Sequence, residues 1–431
     1  MENTIISPAR NSSKPLWALP WSYGESFFIA IGLFLAGIAI EFATSGTGIS
    51  PVSWPYNAYI GIAFINMLVL VQHYSHKHLL VRWISSIPAS ISAISSFTFL
   101  ILLMGFIPQN SSETSIFLHK TGLDHVNRSW PYLLLQLYLL TILGFVVLKR
   151  SMPFKLKNIG FLLNHTGLWI IFFGATLGSG DLKRLTMDIY EKKTSYMARD
   201  NQNRMYELPI ALKLLKFDIE EYNPKLIIAE KYSGAVISEK GKTTTVAEKG
   251  FEGMINDWNI KIKDYIQYAQ SKDTVFIPVY DYGSCPAALV TATNTKTGKV
   301  SEGWICSGSN YINPRFLELD GKYLLAILKP EAKKFSSMIE VNTKNRFHDT
   351  VRIEVNKPYK VENWKIYQLG YDEQMGKWSR LSVVELVQDP WLPITYFGIF
   401  LTLAGSAYLF WIGKGKKYKE TDQSTATNHL L

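Results

Sequence analysis

Two cysteines in 431 residues exclude a disulfide-dense scaffold. Charge is also scarce. Asp, Glu, Lys and Arg make up 19% of the chain, where a soluble domain carries roughly a quarter. That shortfall, with 47% hydrophobic residues, excludes a wholly soluble globule, a disordered chain and a coiled coil. Residues 181–389 hold no glycine-rich phosphate loop, no nucleophile elbow and no paired metal-ligand spacing. No internal repeat is visible. What is present is a mixture: a mean hydropathy of +0.04 averages long apolar runs with one polar stretch long enough for its own core. A pure membrane bundle is therefore excluded too.

A helix that crosses a bilayer needs roughly 20 mostly apolar residues. Six segments qualify: 25–43, 57–72, 84–107, 130–148, 159–179 and 392–412. The first begins late, lacks a small-residue cleavage site and is followed by a second, so a signal peptide is not expected. The basic residues set the orientation. Arg10, Lys14, Lys77, Arg82, Lys149, Arg150, Lys155, Lys157, Lys414, Lys416, Lys417 and Lys419 flank one set of ends. The opposite short loops, 44–56 and 108–129, carry only Lys120 and Arg128. This bias puts both termini in the cytoplasm and residues 181–389 outside. It also accounts for much of the +10 net charge without nucleic acid. Trp130, Trp391 and Trp411 are expected as interfacial anchors, and Glu25 and Glu41 as inexpensive span-end charges.

The expected fold class is thus a six-span α-helical membrane protein with a large extracytoplasmic β-rich domain between spans five and six. Its divisions are 1–83, an extension with two spans; 84–180, three core spans; 181–389, the β-rich domain; 390–413, the sixth span; and 414–431, a cytoplasmic tail. Within 181–389, LPIALKLLKFDIEEY from Leu208, WNIKIKDYIQY (258–268), KYLLAIL, SSMIEV, TVRIEV, NWKIYQLGY and SRLSVVELV read as strands between turns such as NTKTGK (294–299). A sheet, sandwich or barrel would result. Cys285 and Cys306 lie about equidistant from that turn, so their thiols could face each other across a hairpin. A structural disulfide, two free thiols and a redox-active pair all remain open; the spacing is not Cys-x-x-Cys.

His165 is the polar exception within a span, seven residues in and roughly 10 Å from the cytoplasmic end at 1.5 Å per residue. An ionisable group at that depth faces a bundle interior or a cavity and has a partner. It is either a neutral ring bonded across helices, for example to Gln136, or a haem ligand, proton relay or metal ligand. Gly174 and Gly178 on the same span allow another helix to approach closely, from this chain or another subunit. Other histidines compete. His73, His76 and His78 could hold a metal or receive haem, but read better as a solvated interfacial loop. His119 and His125 lie in an outer loop from which they could reach a cofactor. His348 and His429 look incidental.

Three motifs now combine. Span three ends in LLMGFIPQN, span five reads NHTGLWIIFFGATLGSGDLKRLTMDIYE, and the chain closes with VNKPYKVENWKIYQLGYD and SRLSVVELVQDPWLPITYFGIFLTLAG. The first resembles the Gly-x-Ile-Pro-Gln signature of the ResB/CcsB family, membrane subunits of System II cytochrome c biogenesis. The second resembles that family's His-x-Gly helix with its glycine-rich exit. The third resembles its closing strands, Asp-Pro junction and last helix. The likeness covers about residues 88–412. The first two spans precede the family's usual first helix, and Glu191 is followed by Lys192 where the family often has Glu-Gly.

The resemblance implies a subunit that carries haem b across the membrane and presents it to Cys-x-x-Cys-His of apocytochrome c. It maps an axial haem ligand onto His165. Other expected partners are a separate ResC/CcsA-type membrane protein, a thiol-reducing thioredoxin-like protein and the lipid bilayer. A second axial histidine would have to come from the partner, making the iron site intermolecular. No residue of this chain is expected to be catalytic by itself, since held thiols and vinyl groups react largely through positioning. Two rival readings are a non-catalytic scaffold for the ResC/CcsA partner and a membrane sensor or transporter with an outer ligand-binding domain.

Overall fold

The computed structural model describes residues 17–110, 114–237 and 244–427, with side chains as far as Trp411. Arg10, Lys14 and His429 lie outside the described residues, and Lys414, Lys416, Lys417 and Lys419 lie where side chains are not described. The chain divides into two compact units, one of Met1–Leu182 with Asp389–Leu431, the other of Lys183–Gln388.

The first unit is helical: α1 (Tyr23–Ala43), α2 (Tyr56–Ser75), α3 (Leu79–Ile84), α4 (Ile87–Phe106), α5 (Ile116–Lys120), α6 (Trp130–Ser151), α7 (Ile159–Gly178) and α8 (Leu392–Thr427). Six of these, all but α3 and α5, are long and apolar enough to cross a membrane. The expected span 84–107 starts later, because a separate short helix ends at Ile84 with Ser85 as its cap, and Pro88 sits in the first turn of α4, where its missing N–H costs nothing. The last helix runs well past the apolar segment, through charged helix formers to Thr427. α6 is the hub: α1, α2, α4 and α7 all pack on it, and Leu135, Leu140 and Ile142 are fully buried. Trp83 of α3 is buried and donates Nε1–H to Ser26 Oγ (2.9 Å). Around the rim large apolar side chains point outward, among them Phe28, Leu35, Phe99, Phe400 and Leu403.

The second unit is all β: β1 (Lys183–Tyr190), β2 (Thr194–Arg199), β3 (Met205–Glu221), β4 (Lys225–Glu230), β5 (Thr245–Val246), β6 (Glu252–Ile255), β7 (Trp258–Lys272), β8 (Val275–Pro278), β9 (Cys285–Asn294), β10 (Val300–Cys306), β11 (Leu317–Glu318), β12 (Tyr323–Ile327), β13 (Ala332–Thr343), β14 (His348–Glu354), β15 (Tyr359–Val361), β16 (Trp364–Tyr371) and β17 (Leu381–Gln388). An eight-stranded sheet runs β14-β13-β3-β2-β1-β17-β16-β15, and β14 comes to lie against β16, so the sheet nearly closes on itself. Its interior is filled by alternate residues such as Met187, Ile189, Ile210, Leu212, Leu214 and Val384. Two smaller sheets, β10-β9-β7-β6 with β8 and β11-β12-β4-β5, share a second core around Trp258, Ile260, Val290 and Leu325. The alternation of Ile260 and Ile262 breaks before Tyr265 because the pairing of β7 with β9 shifts register between Ile262 and Asp264. A bulge there turns the following side chains to the other face. The unit begins and ends at one place, since Lys183 pairs with Gln388 in the β1–β17 ladder.

Candidate functional site

His165 lies in the second turn of α7, half-buried. Its ring stacks on Phe161, with centroids 3.7 Å apart and planes 20° apart. Nδ1 is 3.0 Å from the Phe161 carbonyl oxygen, one turn back. A carbonyl only accepts, so Nδ1 carries the proton and Nε2 keeps its lone pair. Gln136 is not its partner: Gln136 Nε2–H donates to Thr176 Oγ1 (2.6 Å), about three turns further along α7. The cross-helix bond to Gln136 offered as one reading of His165 gives way to a local one. Arg150, at the end of α6, places its guanidinium 4.5 Å from the Phe161 ring centroid. Trp169, one turn on from His165, donates Nε1–H to the Leu140 carbonyl (3.0 Å), pinning α7 to α6. Beside it an apolar groove is lined by Ile65, Leu68, Gly144, Val147, Thr166 and Trp169.

The small residues of α7 face α8 of the same chain, which answers which helix they admit. A Cβ added at Gly167 would meet Gly398 O and the Thr402 backbone at 2.5 Å, and one at Gly178 would meet Trp391 at 2.6 Å. Gly398 and Gly405 return the fit from α8. Asn164, next to His165, donates Nδ2–H to Ser406 Oγ (2.6 Å) across that seam. Asp181, just beyond α7, accepts from Trp54 N–H, Asn57 Nδ2–H and Trp391 Nε1–H, each at 2.7 Å. Nothing in the sequence pattern singles out Asp181; its partners lie far away along the chain.

The outer-loop histidines come together. His119 Nδ1 is 3.0 Å from Asp124 Oδ2, and His125 Nδ1 is 2.5 Å from Asp124 Oδ1. His125 Nε2 is 3.3 Å from Glu41 Oε1. Glu41, expected as an inexpensive charge at a span end, is instead fully buried and accepts from Gly48 N–H (2.8 Å) and Trp130 N–H (2.9 Å). Gln109, the last residue of the Gly-x-Ile-Pro-Gln match, holds this loop. Its amide donates to the carbonyls of Ile107 and Leu123 and accepts from Val126 N–H. Acidic residues were the missed signal: Glu41 read as a span-end charge and nothing in the sequence singled out Asp124 until the fold gathers them. His73, His76 and His78 gather nothing comparable. His78 caps α3, accepting from Leu80 N–H (3.3 Å), and the three are exposed.

In the β unit, β9 and β10 form the hairpin expected around NTKTGK. The register pairs Cys306 with Ala287, so the cysteines are diagonal rather than directly opposite. Both thiols are free and buried, with sulfur atoms 2.8 Å apart. Cys306 Sγ accepts from Cys285 and from Gly308 N–H (3.3 Å), which draws its pKa down. Cys285, bonded to Cys306 and buried, is pushed up. Nearby, Lys377 lies over Tyr268 and Tyr280, and Trp378 packs edge-on against Tyr268, Tyr280 and Tyr282. No family model and no curated protein matches this chain.

Proposed function

We propose that this chain is a multi-span membrane subunit that carries haem b across the bilayer and presents it to apocytochrome c, with His165 as an axial ligand of the iron. The six long helices are its spans, both termini are cytoplasmic and residues 181–389 are extracytoplasmic. The outward-pointing apolar side chains of the helical unit suit lipid, which would cover a surface too apolar for water. The resemblance to the ResB/CcsB family, through three motifs in order, supplies the class.

One observation carries the role of His165. Its Nδ1–H is committed to the Phe161 carbonyl, and this leaves Nε2 as the basic nitrogen. Metal-bound histidines are held in the same way, their second nitrogen donating to a carbonyl or carboxylate. Haem iron takes imidazole, and an apolar surround suits the porphyrin. Arg150 stands one ring away, where a cation would pair with the carboxylate of a haem propionate. The second axial ligand comes from a ResC/CcsA-type partner, and a thioredoxin-like protein keeps the apocytochrome thiols reduced. The β unit binds the apocytochrome or braces the partner.

The test is co-expression with the partner, purification in detergent and an absorption spectrum. The wild-type complex is expected to carry a Soret band. His165→Ala is expected to bleach or shift it while the complex still assembles. An unchanged band in that variant would overturn the ligand assignment and leave a scaffold role.

A further inference from the structure

We propose that His119, Asp124 and His125 form a binding site for a borderline divalent metal ion such as Zn2+, distinct from His165, with Glu41 as the residue that orients His125. Among the described residues this is the one group of three histidine and carboxylate side chains whose ligand atoms all lie within 4.8 Å of one another. Zinc bonds of about 2.0–2.2 Å to imidazole nitrogen and carboxylate oxygen place neighbouring ligands roughly 3.3 Å apart. The separations of 3.0 and 2.5 Å from Asp124 to the two histidines need only a small expansion.

Proton accounting makes the case sharper. A neutral imidazole has one N–H, yet both nitrogens of His125 face carboxylate oxygens, Nδ1 toward Asp124 and Nε2 toward Glu41. One of those contacts then lacks its proton unless the ring carries a second one or a cation takes its place. A cation between Nδ1 and Asp124 resolves this. Nε2–H donates to Glu41, and Nδ1 ligates. A carboxylate behind a ligating histidine is the recurring arrangement around zinc. Glu41 is itself fixed by two backbone N–H groups and fully buried. Two carboxylates facing two imidazoles also supply the negative charge a divalent ion requires.

The loop is built for this approach. Gly46 and Gly48 both have positive φ, and a Cβ at either would strike His119 or Arg128 backbone, or the His125 ring. His125 is enclosed, at 12% side-chain exposure, while His119 is 55% exposed. A three-residue site enclosed on one side leaves a coordination position on the His119 side for water or an external donor, as in open zinc sites.

The experiment uses the full chain in detergent, stripped with chelator, then titrated with Zn2+ and, separately, Co2+. The wild type is expected to bind one ion per chain at this site and to give the intense visible bands of low-coordinate Co2+. Asp124→Asn and His125→Ala are expected to lose both. Glu41→Gln is expected to weaken Zn2+ binding 10–100-fold. His119→Ala alters an exposed ring and should leave the fold intact, so it keeps the test valid if a buried variant misfolds; it too should lose the low-coordinate Co2+ bands. Absence of wild-type binding would overturn the proposal. So would zinc stoichiometry and Co2+ bands unchanged in His119→Ala, since the ion would then lie elsewhere.

Discussion

The two units reach dense packing with opposite side chains. In the helical unit the tightest seam, α7 against α8, is made by glycines, and many large apolar residues point outward, beside a smaller buried cluster around α6. In the β unit large apolar side chains fill the sheet interior and polar ones face out. The difference is the one expected if lipid surrounds the helical unit and water the β unit, as proposed above. Water drives large apolar groups inward. In lipid that drive is missing, so helices associate through close backbone approach and a few hydrogen bonds. Asn164 to Ser406 and the Asp181 hub are bonds of this second kind. One unit therefore fails when atoms are added and the other when atoms are removed.

The largest expected effect tests the second half of that comparison. Leu212 is fully buried inside the eight-stranded sheet. Leu212→Ala should destabilise the β unit by about 2–5 kcal/mol, read from denaturant unfolding followed by tryptophan fluorescence. A loss below about 1 kcal/mol would mean that the sheet collapses around the gap and is not close-packed. The first half is tested by adding a methyl group. Gly167→Ala puts a Cβ against the Gly398 carbonyl and Thr402 backbone, neither of which can swing aside. About 1–3 kcal/mol should be lost, measured as a lower thermal midpoint in detergent. Gly105→Ala, where nothing lies within 4 Å, should lose nothing, and equal losses at both positions would break the contrast between seam and rim.

The smallest effect concerns charge in the β unit. Burial raises the pKa of Glu221, against the pull of Lys377. A carboxyl raised on folding contributes stability that is full below its unfolded pKa and is lost as pH rises through the folded one. Glu221→Gln should therefore match the wild type near pH 4 and be the more stable of the two near pH 8. A difference of the same size at both would show that hydrogen bonding, not ionisation, is at stake.

Much of this was legible before any coordinates. The apolar runs marked the six long helices to within a few residues, apart from the far end of α8, because a continuous apolar stretch has few alternatives. Alternation marked β3, β7, β13, β14, β16 and β17, each half facing a core. His165 stood out because an imidazole inside an apolar run is rare. Glu41 and Asp124 did not, because a carboxylate near a helix end or in a loop is ordinary. Only their meeting at His125, Glu41 from 84 positions away, makes them notable.

Sequence by itself determined which segments are apolar helices, which are strands, and where the basic residues fall, since each follows from local composition and period. Tertiary structure alone decided three things. It bonded His165 to Phe161 rather than Gln136. It set Cys306 opposite Ala287, two residues off the symmetric pairing. It drew Glu41, His119, Asp124 and His125 into one cluster. The reason is common to all three: which of several partners a side chain takes, and which register a hairpin adopts, is settled by competing contacts in three dimensions, and local periodicity carries no information about those.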